Sequence, residues 1–457
     1  MGRILTSAAV VGLLITAAFA AVSLSVLATS EELFDTDEAP AENEEVTWTI
    51  MAYIAGDNNL EFEAVSDVME MEVHGSQNGV NVIALVDTHT LFEGTHWYYI
   101  GEGETHFDLE ANETYCDCEQ ILGSECEAEE QNMGDPATLQ NFIEVSVAYA
   151  PADRYMLVLW DHGGGWYGVC WDDSSIREED NRTDRLTVHE VATAIEAAED
   201  STGIHLDVIG FDACLMAMVE VAYECRDLAD YMVASVTGIP FDGWAYDLFL
   251  DDLVANPSMS VTELCNHIVD GYVEYYSFCE GSGLGGWTGV TLSVLDLSVA
   301  EELAGAVDAL SYEIAEGLSS GDVYRGGLIS SFQANTPALE MYGQQFAFVD
   351  LGYLADNLAE SFDCLTEEAQ AVADLVDDMV VRCDWVSQVY GGAFGTTGLT
   401  IYLPCAYFYT YVDYSYETEE EAAAAGELIY YGLDFVIETN WDEFILDFCI
   451  AYVPEEA

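Results

Sequence analysis

Leu206-Asp-Val-Ile-Gly-Phe-Asp-Ala-Cys-Leu-Met-Ala-Met218 is the stretch on which the reading of this chain turns. Leu206, Val208, Ile209 and Phe211 form a short apolar, partly β-branched run of the kind that makes a buried strand. After Asp212-Ala-Cys214, the residues Leu215, Met216, Met218, Val219 and Val221 supply the apolar positions of a following helix. The pattern therefore predicts Cys214 at the junction of a strand and a helix. In a parallel α/β sheet the carboxyl ends of strands open into a crevice, and a helix N-terminus there favours a thiolate.

A second stretch supplies a partner. In Tyr155-Met-Leu-Val-Leu-Trp-Asp-His-Gly-Gly-Gly-Trp166, another buried-strand run delivers His162 into a glycine triplet. One helix-like segment separates the two stretches, so consecutive β-α units place His162 and Cys214 on one sheet edge. Glycines after the histidine let backbone approach a substrate and turn an N–H toward a developing oxyanion. A Cys–His pair with such a loop is the minimum equipment for nucleophilic acyl transfer.

Together, Leu157–Trp166 and Gly210-Phe-Asp-Ala-Cys-Leu-Met216 resemble the clostripain family of cysteine peptidases, which share the caspase-like fold. Three further pieces agree in order: Trp48-Thr-Ile-Met-Ala-Tyr-Ile-Ala-Gly-Asp-Asn-Asn-Leu-Glu61, Asn132-Met-Gly-Asp-Pro136 and Gly398-Leu-Thr-Ile-Tyr-Leu-Pro404. The resemblance implies a caspase-like α/β/α sandwich with a mostly parallel central sheet and a C-terminal elaboration. It also implies Cys214 as nucleophile, His162 as acid/base, and the backbone N–H groups of Gly163 and Cys214 as oxyanion donors. The family cleaves after arginine, sometimes lysine, and Asp212 matches its pocket carboxylate, able to take guanidinium in a bidentate pair. Asp242 is a second acidic candidate, and Trp244 either walls the pocket or belongs to the core. The segment Thr237-Gly-Ile-Pro240 departs from the family by lacking an acidic run. Family members are also cut between the His and Cys segments after a basic residue. The polar stretch Trp171–Arg185 offers Arg177, Arg182 and Arg185, with Arg177 first because it lies farthest from the next helix.

Charge narrows the partners. The 457 residues carry 86 acidic side chains against eight basic ones, for a formal net charge of −78. Nucleic-acid binding is excluded, since phosphate contacts need clustered Lys and Arg. Most of these acids read as a solvated surface suited to high salt, and their field attracts cationic peptides and Ca²⁺. No cofactor is required by this chemistry; Ca²⁺ is admitted by the charge, although no complete calcium loop is visible. His189-Glu-Val-Ala-Thr193 is not a zinc-protease motif. Cys116, Cys118 and Cys126 lack a fourth zinc ligand nearby, so no metal site is assigned and disulfides are expected among the 12 cysteines.

Residues 1–30, with an uncharged apolar run from Ile4 to Ala28, read as a secretory signal or an N-terminal membrane anchor. Residues 31–45 form an acidic tether, 46–403 the peptidase domain and 404–457 an extension that packs on it. The expected protein is thus an exported or surface-tethered endopeptidase acting on peptides with basic residues. Two alternatives stand beside it: a catalytically silent binding protein of the same fold, and a related peptidase with another residue preference at the cleaved bond.

Overall fold

The computed structural model describes residues 47–92, 94–109, 113–123, 130–177, 182–278, 289–333, 348–387, 395–403, 430 and 432–449. The expected signal or anchor at 1–30, the expected tether at 31–45 and much of the expected extension at 404–457 lie outside the described residues. The strands of three or more residues are β1 (Trp48–Gly56), β2 (Val80–Thr88), β3 (Gly94–Tyr99), β4 (Arg154–Trp160), β5 (Val169–Arg177) and β6 (Arg182–Leu186). They continue with β7 (Leu206–Asp212), β8 (Ala229–Ala234), β9 (Gly289–Asp296), β10 (Phe348–Asp350), β11 (Val380–Ser387) and β12 (Thr400–Tyr402). Eight of them build one sheet in the order β11-β9-β8-β7-β4-β1-β2-β3. Strands β1, β2, β4, β7 and β8 run parallel, while β3 and β9 pair antiparallel at the flanks.

The central strands are apolar almost throughout because both faces are covered. Met51, Tyr53, Leu157, Leu159, Ile209 and Phe211 face one core. Their sequence neighbours Ile50, Ala52, Ile54, Met156, Val158 and Val208 face the other, as a two-residue period requires. On the first face lie helices α1 (Pro136–Tyr149), α2 (Val188–Thr202) and α3 (Ala300–Ser320). The second face is covered by the helices Glu61–His74, Tyr246–Ala255 and Val261–Phe278. This is the α/β/α sandwich expected from the sequence.

Local chemistry sets the helix starts. The Asp135 carboxylate accepts from the Ala137 N–H at 2.8 Å and Pro136 fills the first turn of α1. At α2 the capping box between Thr187 and Glu190 is complete in both directions.

One expectation about these elements needs correction. The helix after Cys214 does not begin there: strand β7 ends at Asp212 and regular helix resumes only at Val219–Glu224. The backbone needs the intervening residues for a turn, with Leu215 at φ 70°. The piece Gly398–Pro404 contains strand β12, which pairs with β10 in a separate two-stranded sheet. The described residues of the polar stretch Trp171–Arg185 belong to β5 and β6, which pair as an antiparallel hairpin with Arg177 opposite Arg182.

Candidate active site

Strands β4 and β7 are hydrogen-bonded neighbours in register, Leu159 opposite Phe211 and Trp160 opposite Asp212. His162 and Cys214 each follow two residues later, so equal register delivers both to one edge of the sheet. Contact there is at backbone level. A Cβ on Gly163 would lie 2.2 Å from the Cys214 carbonyl oxygen and 2.8 Å from its nitrogen, so only glycine fits.

The sulfur of Cys214 accepts the Ile239 N–H at 3.3 Å and faces the Ile239 carbonyl at 3.7 Å. The Gly163 N–H also points at it. These donors lower the thiol pKa, but burial dominates and pushes it up to about 11. The helix terminus expected to favour a thiolate begins five residues on, so its dipole does not help.

His162 is held elsewhere. Its Nε2 meets the Asn59 side-chain oxygen at 3.0 Å, and burial holds the imidazole below its ordinary pKa against the pull of Asp173. Among the described residues no hydrogen bond joins this ring to the Cys214 thiol. Asn58 braces the same turn by donating its amide to Asp161 at 2.8 Å and to the Trp171 carbonyl at 3.2 Å. Asp161 also accepts the Trp171 N–H. Asn59 was missed in the sequence because asparagines after a strand read as turn chemistry alone. A cleft of ≈ 630 Å³ opens beside His162, lined by Asn59, Tyr167, Trp171, Arg182 and Arg185 among others.

The three substrate-binding candidates separate. Asp212 is buried, and one of its oxygens accepts the Trp244 N–H at 2.9 Å and the Tyr246 hydroxyl at 3.0 Å. Its other oxygen is buried without a hydrogen-bond partner. Desolvation pushes this carboxyl up to about 7. Asp67 sits beside it: a Cβ on Gly243 would lie 2.7 Å from one carboxylate and 2.8 Å from the other. Asp242 is exposed and accepts the Tyr275 hydroxyl at 3.2 Å. Trp244 is wholly buried against Gly210, so it is core.

The arginines are less available than a loop would leave them. Arg177 does not stand apart from the next helix, because the hairpin folds it back to pair with Asp184 at 2.9 Å and Glu190 at 2.7 Å. Arg185 is buried, with its guanidinium 3.8 Å above the Tyr167 ring and Nε donating to the Tyr167 carbonyl at 3.0 Å. It braces the glycine loop. Arg182 lies at the hairpin mouth, its guanidinium 3.3 Å from the Tyr167 hydroxyl.

The C-terminal part reaches the site as well. The Thr400 N–H donates to the Ala217 carbonyl at 3.0 Å, and Tyr402 N–H donates to the buried Glu220 at 2.8 Å. Trp166, from the glycine loop, packs against Tyr402 and Tyr430. Strand β12 thus clamps the turn that carries Cys214.

Asp57, Asp87, Glu130 and Asp172 gather their carboxylates within 4.8 Å of one another next to the Asn58–Asn59 turn. One oxygen of Asp87 accepts the Thr95 hydroxyl at 2.9 Å; the other is buried with no hydrogen-bond partner. Burial, then Glu130 and Asp172, push the Asp87 carboxyl up to about 9. Such a set is suited to a hard cation.

None of the eight described cysteines, which include Cys116, Cys118 and the buried Cys170, Cys225 and Cys265, forms a disulfide. The four others lie where side chains are not described.

Solved structures share this architecture. A secreted C11 cysteine protease from Bacteroides thetaiotaomicron, in complex with an irreversible peptide inhibitor, aligns over 84% of this chain and 98% of that chain. The TM-score is 0.57 at 21% identity. An inactive zymogen C11 protease from Parabacteroides distasonis aligns over 86% and 97%, with a TM-score of 0.53 at 19% identity. Clostripain from Hathewaya histolytica is 32% identical in an alignment 228 residues long that covers 45% of this chain and 42% of that relative's length. The clostripain-family model matches residues 52–448, which hold every element of the site, and the chain therefore belongs to the clostripain family of cysteine peptidases.

Proposed function

We propose that this chain is a cysteine endopeptidase that cleaves after arginine, and secondarily after lysine, through Cys214 and His162. The observation that carries this reading is the shared register of β4 and β7, which sets both residues on one edge with the Gly163 backbone against Cys214. With Nε2–H given to Asn59, the other ring nitrogen is left to act as base. It takes the thiol proton as sulfur attacks the peptide carbonyl, gives it to the leaving amine, and then activates water on the acyl-enzyme. The N–H groups of Gly163 and Cys214 stabilise the oxyanion. Asp212, with one oxygen unpartnered, and Asp242 supply negative charge for the basic side chain.

The arrangement described is a resting one. The sulfur rests against Ile239 with its pKa raised, and Asp212 is closed off from solvent. Cutting the chain at the β5–β6 hairpin, near Arg177 or Arg182, would release the elements around the site; the zymogen described for the Parabacteroides distasonis relative is consistent with such a step. Arg185 is a poor scissile residue because its side chain is buried. Export, with residues 1–30 as leader or anchor, belongs to the same proposal, as a related C11 protease is described as secreted. Ca²⁺ is assigned to the four-carboxylate cluster, where it would order the turn that holds His162.

The test is hydrolysis of short substrates ending in Arg, Lys, Asp or Leu, by the full chain and by Cys214→Ala. Cleavage after Arg with a chain break in 171–185, both lost in the variant, is the expected result. Cleavage after Asp or Leu would remove the role of Asp212. Absence of all cleavage, with Cys214 inert to alkylation at high pH, would leave a binding protein of this fold.

A further inference from the structure

Strand β3 and the segment after it bring together a set of ligands that lies apart in sequence. His96, Cys116 and Cys118 each present a ligand atom, all within 4.8 Å of one another. His96 is buried, and its Nε2 donates to the Phe92 carbonyl at 2.8 Å, which leaves the lone pair on Nδ1. That Nδ1 is buried and has no hydrogen-bond partner. A ring whose outer nitrogen is fixed by a backbone carbonyl, with the inner one turned toward two thiols, is the usual dressing of a metal-bound histidine. The cysteine segment is also braced. Asp117, between the two cysteines, donates its N–H to the Trp97 carbonyl at 2.8 Å and accepts the Tyr99 N–H at 2.9 Å. His106 lies 3.3 Å from the same carboxylate.

We propose that His96 Nδ1 and the sulfurs of Cys116 and Cys118 bind one Zn²⁺ ion, tying the edge strand β3 to the segment that follows it. Zinc accepts two thiolates and one imidazole in a tetrahedral shell whose ligand atoms stand about 3.5–3.8 Å apart, so closure needs shifts of about 1 Å. Binding displaces the two thiol protons to solvent, and the ion with its two thiolates is then neutral. Water completes the shell on the side of Cys116, which is exposed. A disulfide between Cys116 and Cys118 is the competing fate of these thiols, and it would destroy the site. Sequence spacing hid the set because its histidine sits 20 residues before the first cysteine, beyond the usual finger spacings.

The experiment uses the full chain carrying Cys214→Ala, so that the candidate nucleophile cannot bind metal. The reduced protein is titrated with Co²⁺ and then Zn²⁺, and metal content is measured after gel filtration. The expected result is one ion per chain, tetrahedral Co²⁺ absorption with a thiolate charge-transfer band, and displacement by Zn²⁺. Cys116→Ser, at an exposed position that folding tolerates, should lose about half of the charge-transfer intensity and bind Zn²⁺ at least about tenfold more weakly. His96→Gln should keep the charge-transfer band and weaken binding. A Co²⁺ spectrum unchanged in Cys116→Ser would overturn the proposal. So would the absence of stoichiometric uptake by the reduced chain, or a Cys116–Cys118 disulfide that reduction opens without metal then binding.

Discussion

The imidazole of His162 depends on a residue that does no chemistry. Asn59 holds Nε2, so Asn59→Ala should lower kcat for an Arg substrate by about tenfold with little change in KM. Asn59→Asp should instead place a carboxylate on the ring, raise its pKa, and move the acid limb of the kcat–pH profile upward. An unmoved profile in both variants would remove Asn59 from the site. Gly163 has a different constraint. A methyl group there would occupy the space of the Cys214 carbonyl, so Gly163→Ala should abolish activity and cost about 1–3 kcal/mol in urea unfolding. The Cys214 thiol, raised to about 11 by burial, should react with iodoacetamide at a rate that climbs up to about pH 11 in the uncut chain. A plateau near neutral pH would mean that the sulfur is already activated.

Elements explain which parts of this arrangement could be read from residues. The runs at Met156–Trp160 and Leu206–Phe211 were legible because strands buried on both faces are apolar almost throughout. The turn after Cys214 was not, since it is held by backbone bonds to Ser235 and Thr237 and to Thr400, which arrives nearly 190 residues later. Periodicity cannot tell a buried turn from a buried helix. Arg185 was misread for a related reason: an arginine in a polar stretch looks solvated, and only the pairing of β5 with β6 turns it onto Tyr167. Arg185→Ala should therefore cost about 2 kcal/mol in chemical unfolding, well beyond an exposed arginine, through the lost ring contact and the orphaned Tyr167 carbonyl. A cost near zero would return it to the class of surface charges.

For the molecule as a whole, charge and burial act in concert. Asp87 is raised to about 9, and Asp212, Glu70 and Glu220 to about 7, in each case mainly by burial. An acid whose folded pKa lies above its unfolded value binds more protons when folded, so stability falls as pH rises between the two values. The metal-free chain should lose melting temperature in low salt from about pH 4 to about pH 9, opposite to ordinary acid denaturation. Adding Ca²⁺ should restore much of the loss, and Asp87→Asn should raise the metal-free melting temperature while removing that response. A stability that climbs over this range, or a Ca²⁺ response that survives Asp87→Asn, would count against the cluster.

The hairpin at β5 and β6 also divides the chain in a particular way. Strands β1, β2, β3 and β4 precede it and β7, β8, β9 and β11 follow it, yet β4 and β7 are hydrogen-bonded partners at the middle of one sheet. Neither piece could close a core without the other. A nick between Arg177 and Arg182 would therefore leave a heterodimer that behaves in solution as a single particle and parts only in denaturant. The same seam makes the protein a natural two-gene design: residues 31–177 and 182–457, expressed separately in one cell, would have to find each other in order to fold at all.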